Sequence, residues 1–392
     1  MSEWKKVKLG DYIDVLSGFA YKSKDFSDSG IPVIKIKNVC PPYISLEDLS
    51  YVPNSIAFQN PRYILKKGDV LIAMTGSHIN QIASVVGRVG RVRYDDVTVL
   101  NQRVGKIVNK DDSLSCLDFI YYYLSQYDVK VELAQKAGGA ANQANISPSD
   151  IKNLMIPCPP LEVQHRIATI LSRYDSLIEN YQKQIKLLEE AVQRLYKEWF
   201  VDLHFPGHEN TKIVDGVPEG WTPSKLGQLA EFKRGKTITK KDAVEGTIPV
   251  VAGGLEPAYY CNRSNTAERV ITVSGSGANA GFTRMYFERV WASDCSFVDA
   301  STTPFLHFVY CYLKDNKTTI DNMQKGAAQP HVYAKDINSL EISIPVESIL
   351  KSFEKNVSKY FDTISSLQSQ IRLLTEARDR LLPRLMSGDI KV

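Results

Sequence analysis

The chain has 392 residues, 43% of them hydrophobic and 23% charged. That is ordinary globular composition, enough for cores in two or more domains, and it excludes a disordered tail protein. Forty-eight Lys and Arg against 44 Asp and Glu leave +4, so no global charge excess points to nucleic acid or membrane, and any basic site must be local.

No apolar run approaches the ~20 residues of a membrane span, and the opening MSEWKKVKLG has no apolar signal-peptide core, so a cytoplasmic protein is expected. Taken in chain order, the elements then occur twice. WKKVKLG from Trp4 returns as WTPSKLG from Trp221, an offset of 217, and a glycine follows each at that same offset, Gly18 and Gly235. GIPVIKI from Gly30 answers GTIPVV from Gly246, and GDVLIAMTGS from Gly68 answers ERVITVSGSG from Glu268. Both patterns are strand-then-turn. AGGAANQANISPSDIKNLMIP, ending at Pro157, answers KGAAQPHVYAKDINSLEISIP, ending at Pro345. By Asp150 and Asp336 the offset has fallen from 217 to 186, so the second copy is 31 residues shorter, all within its globular part.

The strongest periodic signal closes each copy. Ile167, Leu171, Tyr174, Ile178, Tyr181, Ile185, Leu188, Val192, Leu195 and Trp199 recur at alternating steps of four and three. Phe353, Val357, Tyr360, Ile364, Leu367, Ile371, Leu374, Leu381 and Leu385 repeat the phase 186 residues on, with Arg378 its one charged member. A 3.5-residue period held this long reads as a coiled-coil seam. Pro159 and Pro160 suit a first helical turn, where a missing N–H costs nothing, and Glu162 suits the positive end of the dipole. The first helix is expected to reach about Asp202, roughly 36 residues and 54 Å. HFPGHENTKIVDGVPEG, broken by Pro and Gly, reads as a linker. The expected organisation is a first domain at 1–158, a helix at 159–202, a linker at 203–220, a second domain at 221–346 and a second helix at 347–388.

Two like domains, each followed by an equal helix, most simply form a pseudo-dimer whose seams meet antiparallel. Such a rod can hold two readers one turn of B-DNA apart, about 34–36 Å. The plainer alternative is a helix pair that only dimerises or tethers.

The run GAANQANISPSDIKNLMIPCPPLEVQHRIATIL, the later EWFVDLHFPG, the VPEGW opening the second half and the terminal LLPRLMSGDIKV resemble the DNA specificity subunit of type I restriction-modification enzymes, across essentially the full chain. The resemblance implies an α+β fold, with two pseudo-symmetric target-recognition domains separated by an antiparallel coiled coil. Each domain would read one half of a split, asymmetric site in double-stranded DNA. Two methyltransferase subunits would dock on the helices, with restriction subunits joining for cleavage. The chain itself would be non-catalytic and hold no cofactor, S-adenosylmethionine, ATP and Mg being expected in the partner subunits. Two departures stand out. Pro159-Pro160-Leu161-Glu162-Val163-Gln164 is answered by Val346-Glu347-Ser348-Ile349-Leu350, so the two helix starts need not meet partners alike, and Arg378 falls in phase with Val192. A charged seam residue fixes register at some cost in stability or reaches its head to solvent.

DNA contacts are sought in basic and polar loops. VGRVGRVRY carries Arg88, Arg91 and Arg93 without an acid, and FKRGKTITKK carries Lys233, Arg234, Lys236, Lys240 and Lys241, the densest basic window of the chain. Both suit phosphates, and both also occur as ordinary solvated strands or loops. Base-edge readers need amide, hydroxyl and guanidinium groups. Ser77, His78, Asn80 and Gln81 follow Met74, and Ser276, Asn279 and Arg284 follow Val273, in equivalent places. The competing reading is a Gly-Ser turn with nothing bound.

Other chemistry is weaker. Ala230–Thr237, AEFKRGKT, approximates a phosphate-cradling loop with Ala in place of the first Gly, which makes an NTPase the rival reading, but LGQLAEFKR is too polar for the buried strand such a loop requires. Asn60-Pro61-Arg62-Tyr63 resembles the NPPY of adenine methyltransferases, spoiled by Arg62. No glycine-rich strand-to-helix turn supplies a cofactor site. The six cysteines show no CxxC pair, and Phe-Pro-Gly between His204 and His208 prevents a helical metal pair, so no metal is expected. A recognition subunit of a methylation-only or other DNA-modification system is the remaining alternative.

Overall fold

The computed structural model describes residues 4–77, 85–138, 144–325 and 330–392. The chain divides into two compact units, one of residues 1–179 with 372–392 and the other of residues 180–371.

In the first unit, Lys6–Lys8 pairs antiparallel with Met155–Pro157, so the two ends of the globular part close on each other. A six-stranded sheet runs in the order Ile13–Ser17, Val104–Asn109, Val70–Ala73, Val89–Arg91, Tyr43–Ile44, Val39–Cys40. A four-stranded sheet runs Ser50–Val52, Ile31–Ile34, Thr98–Leu100, Ile64–Leu65. Val70–Ala73 reads VLIA and is buried at every position, as a strand covered on both faces must be. Phe119, Ile120 and Tyr121 of the helix Leu117–Leu124 complete this core.

The second unit repeats the plan. Thr222–Lys225 pairs with Glu341–Ile344. Its sheets run Lys233–Arg234, Cys295–Asp299, Val270–Ser274, Thr283–Tyr286, and Tyr259–Cys261, Ile248–Val251, Trp291–Ala292. The first unit's hairpin Val39–Ile44 and strand Ile64–Leu65 have no counterpart among the described residues, which is where much of the shortening falls. One close approach marks the duplication at atomic scale. A Cβ on Gly18 would stand 2.3 Å from the Asn101 carbonyl oxygen, and one on Gly235 would stand 2.3 Å from that of Ser293. Only glycine lets the two backbones meet at either place. Both units are mixed α and β, and each holds one copy of the repeated domain.

The long helices span Leu161–Phe200 and Glu347–Ser387, 40 and 41 residues. In the first unit Ile167, Leu171 and Leu385 join the domain core, Ile178 is also buried, and Tyr174, Leu374 and Leu381 are half-buried. In the second unit Val192, Trp199, Phe353, Val357, Ile364 and Leu367 are buried, and Tyr181, Ile185, Leu188, Leu195 and Ile371 are half-buried.

Tyr360 departs from the expected seam. It is 40% exposed while Phe361 beside it is 2% exposed, because Phe361 stacks on His307 with ring centroids 4.2 Å apart. Burial also reaches Gln164, Asp175 and Tyr196. The helix segments therefore bury a wider stripe than a two-position seam, since in each unit they also pack on that unit's globular domain. Arg378, the break in phase, bonds Asp175 at 2.8 Å in the first unit. No helix among the described residues is long and apolar enough to cross a membrane.

Candidate nucleic-acid interface

In both units the central strand, Val70–Ala73 or Val270–Ser274, runs on into polar residues that bond a later segment, at residues 144–146 in the first and at His331 and Val332 in the second. In the first unit Thr75–Gly76 pairs antiparallel with Ala144–Asn145, and the Ile146 amide donates to the Met74 carbonyl at 2.9 Å. The Thr75 hydroxyl donates to Asn145 Oδ1 at 2.7 Å, and the exposed Arg103 donates to the same oxygen at 3.2 Å. Ser77 is half-buried where this loop begins, and His78, Asn80 and Gln81 lie outside the described residues. In the second unit the Val332 amide donates to the Gly275 carbonyl at 3.1 Å. Ser276 forms a bridge with His331 and donates its hydroxyl to the Asp294 carboxylate. Asn279 is half-buried in the single turn Gly277–Asn279.

Arg284 is less available than its sequence context suggests. Its guanidinium donates to the Leu255 carbonyl at 2.8 Å, lies 3.4 Å from Glu256 and stands 4.9 Å from the Tyr286 ring centre. Sequence reasoning passed over Asn145, Arg103, His331 and Asp294. The signal for the first and third was present, since Asn145 and His331 stand 186 apart in the repeat. Arg103 and Asp294 occupy equivalent places, immediately before Val104–Asn109 and Cys295–Asp299, and carry opposite charge. The two copies thus set opposite charges at one place of a shared scaffold.

The arginine ribbon of the first domain is a correction. Arg91 is 5% exposed, pairs with Asp118 at 2.7 Å and lies over the Tyr121 ring at 4.3 Å. Arg93 pairs with Glu179 at 3.0 Å. Helix Leu117–Leu124 covers Arg91, which is therefore not presented to phosphates, while Arg93 keeps 27% of its side chain exposed. Arg88 is half-buried and lines a cleft of about 560 Å³ with Lys130 and Asp128.

The basic window of the second domain lies at the surface. Lys233 and Arg234 form an exposed edge strand, and Lys236, Lys240 and Lys241 follow it, all exposed. The same window cannot cradle a nucleotide as a phosphate loop does. The Gly235 amide donates to the Cys295 carbonyl at 2.8 Å, and the Lys236 amide donates to that of Ala292 at 2.9 Å. The N–H groups that a phosphate loop offers are therefore used within the fold.

Pro61–Tyr63 is a single tight turn. Among the described residues no group of three or more His, Cys, Asp or Glu is placed to hold a metal. All six cysteines are free thiols, Cys40 is exposed, and burial pushes Cys295 up to about 12.

Comparison with known proteins agrees with this duplication. A family model described as the type I restriction modification DNA specificity domain matches residues 1–190 and again 218–376. The type I restriction enzyme MjaIX specificity subunit of Methanocaldococcus jannaschii is 27% identical, over 100% of this chain and 94% of its own length. The putative MjaX specificity subunit of the same organism is 25% identical, over 100% and 94%. In fold, the chain is similar to the crystal structure of a type I restriction-modification S subunit from M. genitalium, with a TM-score of 0.60 at 19% identity over 98% of this chain and 96% of that one. With both halves matched by one model and both carrying the same strand-closed domain, the chain belongs to the type I restriction-modification DNA specificity family, and its function is recognition of DNA sequence.

Proposed function

We propose that each globular domain reads one half of a bipartite, asymmetric site in double-stranded DNA, and that the two long helices pair antiparallel as a coiled-coil spacer between the readers. The observation that carries this reading is the direction of the helix contacts within each unit. In the first, Asp175 meets Arg378, and Val392, just beyond the end of the second helix, shares a groove with Glu162–Ile170. In the second, Trp199 meets Phe353 at 5.8 Å, and Tyr360 shares a groove with Ala191–Trp199. In each case the later residue of one helix faces the earlier residue of the other. Forty residues at 1.5 Å each give about 60 Å, more than one turn of B-DNA.

The domains are copies with different loop chemistry, as Arg103 and Asp294 illustrate, which suits an asymmetric site. In this reading the outer helix faces dock two methyltransferase subunits, restriction subunits complete the complex, and the chain itself catalyses nothing. S-adenosylmethionine, ATP and Mg belong to those partners. A methylation-only system would use the same chain with fewer partners. Inserting seven residues at matched positions of both helices tests the spacer. Methylation mapping should then show the two half-sites unchanged and their separation longer. Unchanged separation would refute the spacer role.

A further inference from the structure

With Arg91 buried and Arg93 paired to Glu179, the first domain needs another surface to hold DNA. The repeat indicates where to look. Gly18 and Gly235 make the same close approach to the backbone, so the loops that leave them start from the same place in the two copies. In the second domain that loop is the exposed basic window, ending in Lys240 and Lys241. In the first it is the segment Gly18–Phe26, with Lys22 and Lys24 both exposed on and beside the turn Ser23–Asp25.

This segment is more than two surface lysines. Phe19 stands 4.9 Å from Tyr21 and 5.6 Å from Tyr63, and Tyr21 stands 6.1 Å from Phe26. A cation caps each end of this half-exposed row, the Lys35 ammonium 4.1 Å from the centre of Phe26 and the exposed Arg62 guanidinium 4.8 Å from that of Tyr63. The second domain also sets a cation over a ring beside its basic window. Trp291 donates its indole N–H to the Lys236 carbonyl at 2.7 Å and carries Arg263 over its ring at 4.9 Å. Rings under cations hold the charges in position without neutralising them. Arg62, so held, loses less freedom on meeting a phosphate than a loose side chain does, and Lys22 and Lys24 add exposed charge beside it.

We propose that Lys22 and Lys24, exposed beside the aromatic row Phe19–Tyr21–Tyr63, together with Arg62 at its end, are the duplex-DNA backbone contact of the first domain, counterpart to the Lys233–Lys241 window of the second. The proposal rests on the two-reader account above and adds the residues by which the first reader grips. Phosphates are the target because the patch offers cations and ring faces, while sequence choice needs the groups of the loop at Thr75.

The test uses the full chain as isolated from its host and a 40-base-pair duplex of mixed sequence, with affinity measured across a salt series. Replacing Lys22, Lys24 and Arg62 together by Gln should weaken binding at least ~10-fold and lower the log–log salt slope by about 1 per cation removed. Lys136→Gln, which removes one positive charge on the helix Tyr127–Lys136, should leave the slope unchanged. Loss of binding in Lys233→Gln/Arg234→Gln without loss in the triple variant would overturn the patch while leaving the two-reader account standing. A wild-type chain that binds no duplex would overturn both. Far-UV circular dichroism matching wild type separates lost contact from lost fold.

Discussion

Arg378 donates to Asp175 Oδ1 at 2.8 Å, and the other oxygen of that carboxylate accepts the Tyr122 hydroxyl at 2.6 Å. Asp175 is 1% exposed, so its charge has left water and is held by these partners. At the repeat-equivalent positions, 186 residues away, the second unit has Val192 and Phe361, each 2% exposed. One copy fills the position with an ion pair and the other with apolar side chains.

That contrast fixes the stability prediction. Arg378→Met strands the carboxylate and should cost about 3–5 kcal/mol in denaturant unfolding, whereas removing both charges in Asp175→Phe/Arg378→Val should cost clearly less than the single change. A double variant as unstable as the single would mean that the pair itself, not the stranded charge, carries the effect.

The glycine contacts predict damage confined to one unit. Gly18→Ala brings its methyl against the Asn101 carbonyl and should destabilise the first domain by about 2 kcal/mol or more, and Gly235→Ala should do the same to the second. Hydrogen exchange of the two units reads this separately. Equal acceleration in both units after one change would contradict it.

Burial sets the thiol and phenol chemistry. Cys295 is pushed from 9.0 to about 12, chiefly by burial, and burial likewise takes Tyr43, Tyr121 and Tyr286 from 10.0 to about 12. A folded value above the unfolded one contributes stability in full below the unfolded value and loses it as pH rises through the folded value. Stability should therefore hold to about pH 9 and decline between roughly 9 and 12. At pH 8 a thiol reagent should label Cys40 quickly and Cys295 only after unfolding. Rapid native labelling of Cys295 would show that its burial is wrong.

Reading and gripping should separate in the second domain. Asn279→Ala should relax one base position of one half-site at a cost of about 1–3 kcal/mol, while Lys233→Gln/Arg234→Gln should weaken all sequences alike. Competition binding with a panel of single-base variants distinguishes the two. A sequence-independent loss from Asn279→Ala would remove it from the readers.

The duplication was legible because it resides in features that act locally. Gly18 and Gly235 answer a backbone demand, and VLIA or VITVS reports a doubly covered strand without reference to anything distant. The burial of Arg91 was hidden for the opposite reason. Nothing in VGRVRY shows that Asp118 and Tyr121, on a helix further along, will close over Arg91. The choice between Tyr360 and Phe361 was equally hidden, since both fit an apolar stripe and His307 decides it. The row Phe19, Tyr21, Tyr63 joins residues from separate segments and has no period to detect. For Arg378 the sequence left open whether it fixes register or reaches solvent, because its partner Asp175 lies 203 residues away.

Exchanging one domain shows whether each reader selects its own half of the target. Residues 1–158 would be replaced by the corresponding domain of a relative with a different target, and methylation mapped across the host genome by long-read sequencing. The account predicts a new hybrid site in which one half is altered and the other half and the spacing are retained. Alteration of both halves, or of neither, would contradict it.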